Sequence, residues 1–136
     1  MKIYFAGSIR GGRDDKELYL QIITLLQQYG KVLTEHIGSA ELSERGEMNV
    51  TEDFIYNRDM TWLKSSDVVV AEVTSPSLGV GYELGIAEML NKKVLCLYRQ
   101  KPEKSLSAMV AGNKAFRIEN YKGLEDLNGI FDNFLK

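Results

Sequence analysis

Two carboxylates, Glu83 and Asp59, sit in sequence contexts that give them chemistry to do. Glu83 lies in the run Ser75-Pro-Ser-Leu-Gly-Val-Gly-Tyr-Glu-Leu-Gly85, which follows the apolar stretch Asp67-Val-Val-Val-Ala-Glu-Val73. The pattern predicts a buried parallel strand followed by a helix from Tyr82 to Leu90, with Glu83 in its first turn. Ligands of open α/β sheets bind just beyond the carboxyl ends of such strands. A helix N-terminus favours an ionised carboxylate, and an ionised carboxylate in a cleft is a candidate nucleophile. The alternative is that Glu83 only caps its own helix. Asp59 interrupts an apolar helical stripe through Ile55, Trp62 and Leu63. A core-facing carboxylate is costly unless it is paired or functional, and burial would raise its pKa and suit it to donate a proton. The alternative is a salt bridge to Arg58 or another base. Together the two suggest attack by one carboxylate on an anomeric carbon while the other assists the leaving group. Retaining glycoside cleavage places such groups roughly 5–5.5 Å apart. N-glycosidic cleavage can use the same two roles, but its leaving group is a base nitrogen, so that separation need not carry over.

The first strand-to-helix turn, Gly7-Ser-Ile-Arg-Gly-Gly-Arg13, has neither the dinucleotide-binding nor the Walker A spacing. Its physics is still that of an anion site. Gly7, Gly11 and Gly12 let backbone approach a ligand, and Ser8, Arg10 and Arg13 add donors that suit a phosphate. A tight turn with solvated arginines is the alternative. Tyr4 could orient a carboxylate through its hydroxyl, or be core with a wet tip. His36, ending the second strand, is either structural or within reach of the same edge. Ser77 and Ser107 could donate to phosphate or simply cap helices.

These residues need a scaffold, and the chain supplies alternating strand and helix patterns. Strands are expected at Lys2–Ala6, Lys31–Glu35, Asp67–Val73, Lys93–Tyr98 and Phe116–Glu119. Helices are expected at Asp14–Tyr29 (apolar face Leu18, Ile22, Leu25, Tyr29, with Gly30 as the stop), from a Thr51 cap to Lys64, at Tyr82–Leu90, near Leu106–Gly112, and at Leu124–Leu135. Ile37–Val50 reads as a long loop or irregular helix. The order predicts a single α/β domain, Rossmann-like or flavodoxin-like, with a five-stranded, mainly parallel sheet flanked by helices.

Composition narrows the function classes. The 136 residues are 44% hydrophobic and 26% charged, with a formal net charge of −2. No basic stripe for a polymeric nucleic acid is present. A single cysteine, Cys96, inside an apolar strand, excludes an intrachain disulfide and reads as a buried thiol. One His and one Cys give no metal-ligand spacing. No signal peptide and no membrane-spanning stretch are visible, which leads to the expectation of a cytoplasmic protein.

The motifs Tyr4-Phe-Ala-Gly-Ser-Ile-Arg-Gly-Gly-Arg13, Leu33-Thr-Glu-His36, Asp67–Val73, Ser75–Gly85 and Leu106-Ser-Ala-Met109 closely resemble the 2′-deoxynucleoside 5′-monophosphate N-glycosidases of the nucleoside 2-deoxyribosyltransferase superfamily. The resemblance spans nearly the whole chain. It implies hydrolysis of a deoxynucleoside 5′-monophosphate to free base and 2-deoxyribose 5-phosphate, without cofactor or metal. It implies that Glu83 is the nucleophile forming a deoxyribosyl ester, Asp59 the acid/base and Tyr4 the residue that positions Glu83. It implies that the loop Gly7, Ser8, Ile9, Arg10, Gly11, Gly12 and Arg13, with Ser77 and Gly79, holds sugar and phosphate, and that His36 belongs to the base-side wall. Ser107, Ala108 and Met109 resemble the stretch that members contribute to their partner's phosphate site in a homodimer. Ala6 departs from the family's Cys, and the loop Ile37–Val50 is less alike, so base preference does not carry over. Two rivals remain: a transferase passing the sugar to a second base, and a non-catalytic nucleotide sensor.

Overall fold

The computed structural model describes residues 1–9, 13–36, 50–102 and 104–136, and of residues 13 and 14 the backbone only. Every residue of the Val-Val-Val-Ala-Glu strand is buried, as expected of a central parallel strand covered on both faces. This strand, β3 (Val68–Glu72), is flanked by β1 (Lys2–Ala6) and β4 (Lys93–Tyr98). Strands β2 (Lys31–Leu33) and β5 (Phe116–Asn120) form the edges, in the order β2-β1-β3-β4-β5. All four pairings are parallel, with Tyr4 opposite both Leu33 and Val69.

Period-two alternation divides the core between the sheet's faces. Ile3 and Phe5 point to one face, where α1 (Arg13–Leu26) and the C-terminal helix α5 (Leu127–Leu135) supply Tyr19, Ile22, Leu26, Phe131 and Phe134. Tyr4 and Ala6 point to the other, where α2 (Glu52–Ser65) and α3 (Leu78–Met89) supply Leu63, Val80 and Leu84. A short helix, α4 (Ala108–Ala111), packs Val110 against this second cluster. Buried Cys96 faces it too.

The strand order sets the site. From β1 the chain crosses to β2 on one side and then returns past β1 to β3 on the other. The crossovers diverge between the carboxyl ends of β1 and β3, which is where such sheets hold their ligands.

Several element bounds differ from expectation. Helix α1 ends at Leu26 rather than Tyr29, because Gln28 N–H bonds Leu25 C=O and Tyr29 N–H bonds Leu26 C=O, tightening the last turn. That tightening delivers Gly30 against the N-terminal strand: a Cβ on Gly30 would lie 2.4 Å from Met1 O. Strand β2 stops at Leu33, and Glu35 and His36 begin a helical turn. The last helix is preceded by a 3₁₀ turn, Leu124–Asp126. Thr51 caps α2 as expected, accepting from Phe54 N–H at 3.2 Å. Among the described residues no helix is long and apolar enough to cross a membrane.

Candidate active site

Helix α3 starts at Leu78, not at Tyr82. The Ser77 hydroxyl caps it by accepting from Val80 N–H at 3.2 Å. Gly79 and Gly81 are poor helix formers and hide this start in the sequence. Burial of Val80 and Leu84 against the sheet outweighs their cost. Glu83 is therefore in the second turn, beyond the full effect of the helix N-terminus.

A cavity of about 440 Å³ opens at the divergence point. Its walls come from the turn after β1 (Gly7, Ser8, Ile9), from Glu35 after β2, and from Pro76 to Val80 with Glu83 after β3. Gly79 keeps the wall thin: a Cβ there would stand 3.8 Å from Ser77 Oγ and 4.0 Å from Glu83 Oε1. The Gly7 turn is held from behind. The Tyr19 ring lies so close that a Cβ at Gly7 would meet it at 3.1 Å, and His36 Nε2 is 3.0 Å from Gly7 O.

Glu83 is only 9% exposed. The buried Tyr4 hydroxyl donates to its Oε2. Burial pushes the Glu83 pKa up to about 7, the neighbouring Asp59 pushes the same way, and the Tyr4 hydrogen bond opposes both. This corrects the expectation of an ionised state secured by a helix N-terminus. The Tyr4 hydroxyl, not the helix end, favours the charged form, since a donor to a carboxylate stabilises its anion. Burial, and then the charge of Glu83, keep the Tyr4 phenol far above its usual range, so it remains a donor.

Asp59 is 7% exposed and does lie on the buried side of α2 with Met60 and Leu63. The salt bridge weighed as its alternative also exists: Arg58 Nε donates to Asp59 Oδ1 at 3.1 Å. The Arg58 guanidinium is held in turn by stacking on Trp62, 4.8 Å from the ring centroid. Its other arm lies 4.0 Å from Glu35 Oε2.

Glu35 is a site residue that sequence reasoning missed. Burial, then a hydrogen bond and charge from Asp59, then the charge of Glu83, push its pKa well above the carboxylate range, against the pull of Arg58. Three carboxyl groups thus share one neighbourhood with Arg58, and Glu35 and Glu83 ionise less readily there than free carboxylates. A carboxyl pair sharing a proton beside an ionisable third carboxyl can supply an acid and a nucleophile together. Read as a strand residue, Glu35 had no face assigned to it; the helical turn after Leu33 is what directs it to the cavity. Among the described residues, no group of three or more His, Cys, Asp or Glu side chains is arranged to hold a metal ion.

The other expected residues separate into groups. Gly7, Ser8, Ile9, Ser77 and Gly79 line the cavity with Glu83. His36 is buried edge-on between Phe5 and Tyr19, with ring centroids 5.8 and 5.2 Å away, and is not among the lining residues. Burial lowers its pKa, so it sits there neutral. Ser107 and Met109 line a different cavity, of about 530 Å³, which shares only Pro76, Ser77, Leu78 and Val80 with the first. Ser107 Oγ caps α4 by accepting from Met109 N–H at 3.2 Å, and Ala108 is that helix's first residue. Arg10, Gly11 and Gly12 lie outside the described residues, as does the side chain of Arg13 and the chain from 37 to 49.

The Tyr4–Glu83 contact carries a measurable consequence. In Tyr4→Phe the ionised form of Glu83 loses its donor, so its pKa rises from about 7. The acid limb of the pH–kcat/KM profile should move upward by about one unit, making the loss at pH 6 about tenfold greater than at pH 8.5. An unmoved limb with a uniform loss would show that the phenol acts otherwise.

Comparison with known proteins adds lineage to this geometry. Residues 3–125 match the family described as nucleoside 2-deoxyribosyltransferase. The chain is 54% identical over 141 residues to the 5-hydroxymethyl-dUMP N-hydrolase of Esox lucius, covering all of this chain and 97% of that protein. It is 56% identical over 137 residues to a putative 2′-deoxynucleoside 5′-phosphate N-hydrolase 1 of Nematostella vectensis, covering 98% and 92%. Among solved structures it is similar in fold to a CMP N-glycosidase of Clostridium botulinum, with a TM-score of 0.68 at 17% identity, covering 97% and 99% of the two chains.

Proposed function

This chain belongs to the nucleoside 2-deoxyribosyltransferase family, and we propose that it hydrolyses the N-glycosidic bond of 2′-deoxynucleoside 5′-monophosphates to free base and 2-deoxyribose 5-phosphate. The observation that carries this reading is one cavity whose wall bears both Glu83, with Tyr4 donating to it, and the serine turns Gly7–Ile9 and Pro76–Gly79. The names of relatives sharing 51–59% identity support the same chemistry.

The mechanism follows from the roles available. Ionised Glu83 attacks C1′, forming a C1′–O ester bond as the C1′–N bond breaks. Asp59, backed by Glu35, delivers a proton to the departing base nitrogen. The same carboxylate then takes a proton from water, whose oxygen attacks C1′ and releases Glu83. The serine turns, with Arg10 and Arg13, hold sugar and phosphate. Every step is carried by carboxyl groups and water, so no cofactor or metal is required.

We read the protein as a homodimer. Helix α3 carries apolar residues on its outer side as well as on its buried one, a pattern that calls for cover on a second side. Its outer residues Leu78 and Met89 are 97% and 80% exposed, with Met109 beside them at 84%. Gly81 and Gly85 leave open space where another helix could approach closely. Across such an interface Ser107, Ala108 and Met109 would complete the partner's phosphate site. Ser107→Ala should therefore weaken binding of the monophosphate about tenfold more than that of the unphosphorylated nucleoside. Equal losses in calorimetry would contradict the phosphate role. We read the protein as cytoplasmic, which suits a substrate of this class.

Product analysis tests the activity. Free base from monophosphates alone, unchanged by an added acceptor base, is expected. A new nucleotide formed with the acceptor would mean a transferase, and binding without products a sensor.

A further inference from the structure

Behind the serine turns, on the α1 face of the sheet, lies a charged network that the mechanism does not use. Glu72, at the end of β3, is 0% exposed. It accepts from Thr74 N–H at 2.8 Å, from Thr74 Oγ1 at 3.0 Å, from Arg99 Nε at 3.3 Å and from the Tyr121 hydroxyl. The other arm of Arg99 donates to Asp15 Oδ1 at 3.0 Å. Asp15 Oδ2 accepts from Ser75 Oγ at 3.0 Å. Arg99 N–H returns to Thr74 Oγ1 at 3.0 Å. One guanidinium thus joins three pieces of backbone: the end of β4, the turn Thr74–Ser75 that leads to Ser77, and the first turn of α1.

Both of these last pieces bear on the cavity: Pro76 and Ser77 line it directly, and α1 packs its Tyr19 ring under Gly7 of the opposite wall. A carboxylate pair beside an anion site is unfavourable, and Arg99 offsets one of its two charges at short range. The ion pairs are largely screened from water: the Asp15 and Glu72 side chains are 13% and 0% exposed and that of Arg99 26%. Such a cluster costs desolvation energy, whereas the planar fork of Arg99 fixes the spacing of the two carboxylates it bridges.

We propose that Arg99 is a positioning residue for the substrate's phosphate: by bridging Asp15 and Glu72 it holds the two serine-bearing turns at the spacing a phosphate needs, and it offsets part of the negative charge behind them. The inference rests on the reading that those turns hold a phosphate.

The test compares Ser75→Ala, Asp15→Asn, Arg99→Gln and the pair Arg99→Gln/Asp15→Asn, with Ser77→Ala as a direct probe of the phosphate reading. Readouts are KM and kcat for a deoxynucleoside 5′-monophosphate, and inhibition by inorganic phosphate. Ser75→Ala and Asp15→Asn should raise KM and the phosphate inhibition constant about tenfold with kcat within threefold, since misplaced binding groups lose affinity steeply. Arg99→Gln should raise both further, because it removes the cation that Asp15 and Glu72 share. Adding Asp15→Asn to Arg99→Gln should recover part of that loss, which a merely structural role would not do. If Arg99→Gln fails to fold, the Ser75 and Asp15 variants decide. If these two lower thermal stability and leave KM and phosphate inhibition at wild-type values while Ser77→Ala weakens both, the positioning role is wrong and the phosphate reading stands. If Ser77→Ala also leaves phosphate inhibition unchanged, the phosphate reading itself fails.

Discussion

Glu83→Gln should bind monophosphate with near wild-type affinity and lose turnover by about four orders of magnitude or more. The amide keeps the shape and still accepts from the Tyr4 hydroxyl, but it cannot attack C1′. Activity within tenfold of wild type would remove Glu83 from the nucleophile's role. The same substitution should stabilise the fold, with a definite sign in pH. The carboxyl of Glu83 titrates near 7 when folded against an ordinary value of 4.5. A raised pKa means that the folded state binds the extra proton between those values. The stability this group contributes is therefore fully present below about pH 4.5 and lost as pH rises through about 7. The shift corresponds to on the order of 3 kcal/mol at alkaline pH. Glutamine carries no such dependence. Thermal melts should show the variant several degrees more stable than wild type at pH 8.5, with the advantage shrinking toward pH 5. A constant difference across pH would mean that the carboxyl is not held protonated by burial.

Asp59→Asn is expected to have the second largest effect, a loss in kcat of about 10³-fold. The asparagine oxygen can still accept from Arg58, so packing is largely retained. The diagnostic is the leaving group. A 2′-deoxynucleotide alkylated at N7 of its purine carries a positive charge and departs without protonation. On that substrate the variant should come within about tenfold of wild type, because the missing acid is no longer needed. The same large loss on both substrates would mean that Asp59 acts on the sugar or on Glu83 rather than on the leaving base.

Much of this was legible before any coordinates. The fully apolar run at β3 and the alternation of periods 2 and 3.6 along the chain give the parallel α/β sheet directly, and Thr51 announces the helix that carries Asp59. Asp59 could be singled out because one charge breaks an apolar stripe. Other features could not be read because they depend on contacts distant in sequence. The early start of α3 at Ser77 is decided by packing of Val80 and Leu84, which outweighs two glycines. The electrostatics of Glu83 follow from that start and from a partner, Tyr4, that lies 79 residues away. Glu35 stayed hidden because strand and turn place it on different faces, and the turn prevails. His36 could be read either way from its position. Its actual surroundings, two aromatic rings and the Gly7 carbonyl, come from three separate elements. The Arg99 network has no motif at all, since its members span residues 15 to 121.

The measurement closest to the centre of this account is the reaction run in methanol–water mixtures with a β-configured 2′-deoxynucleoside 5′-monophosphate. A Glu83 ester, formed with inversion and opened with inversion, should give methyl 2-deoxyriboside 5-phosphate of retained β configuration, alongside the hydrolysis product and without change in the rate of base release. Methyl product of α configuration would show that the acceptor attacks C1′ directly, and it would contradict a covalent role for Glu83.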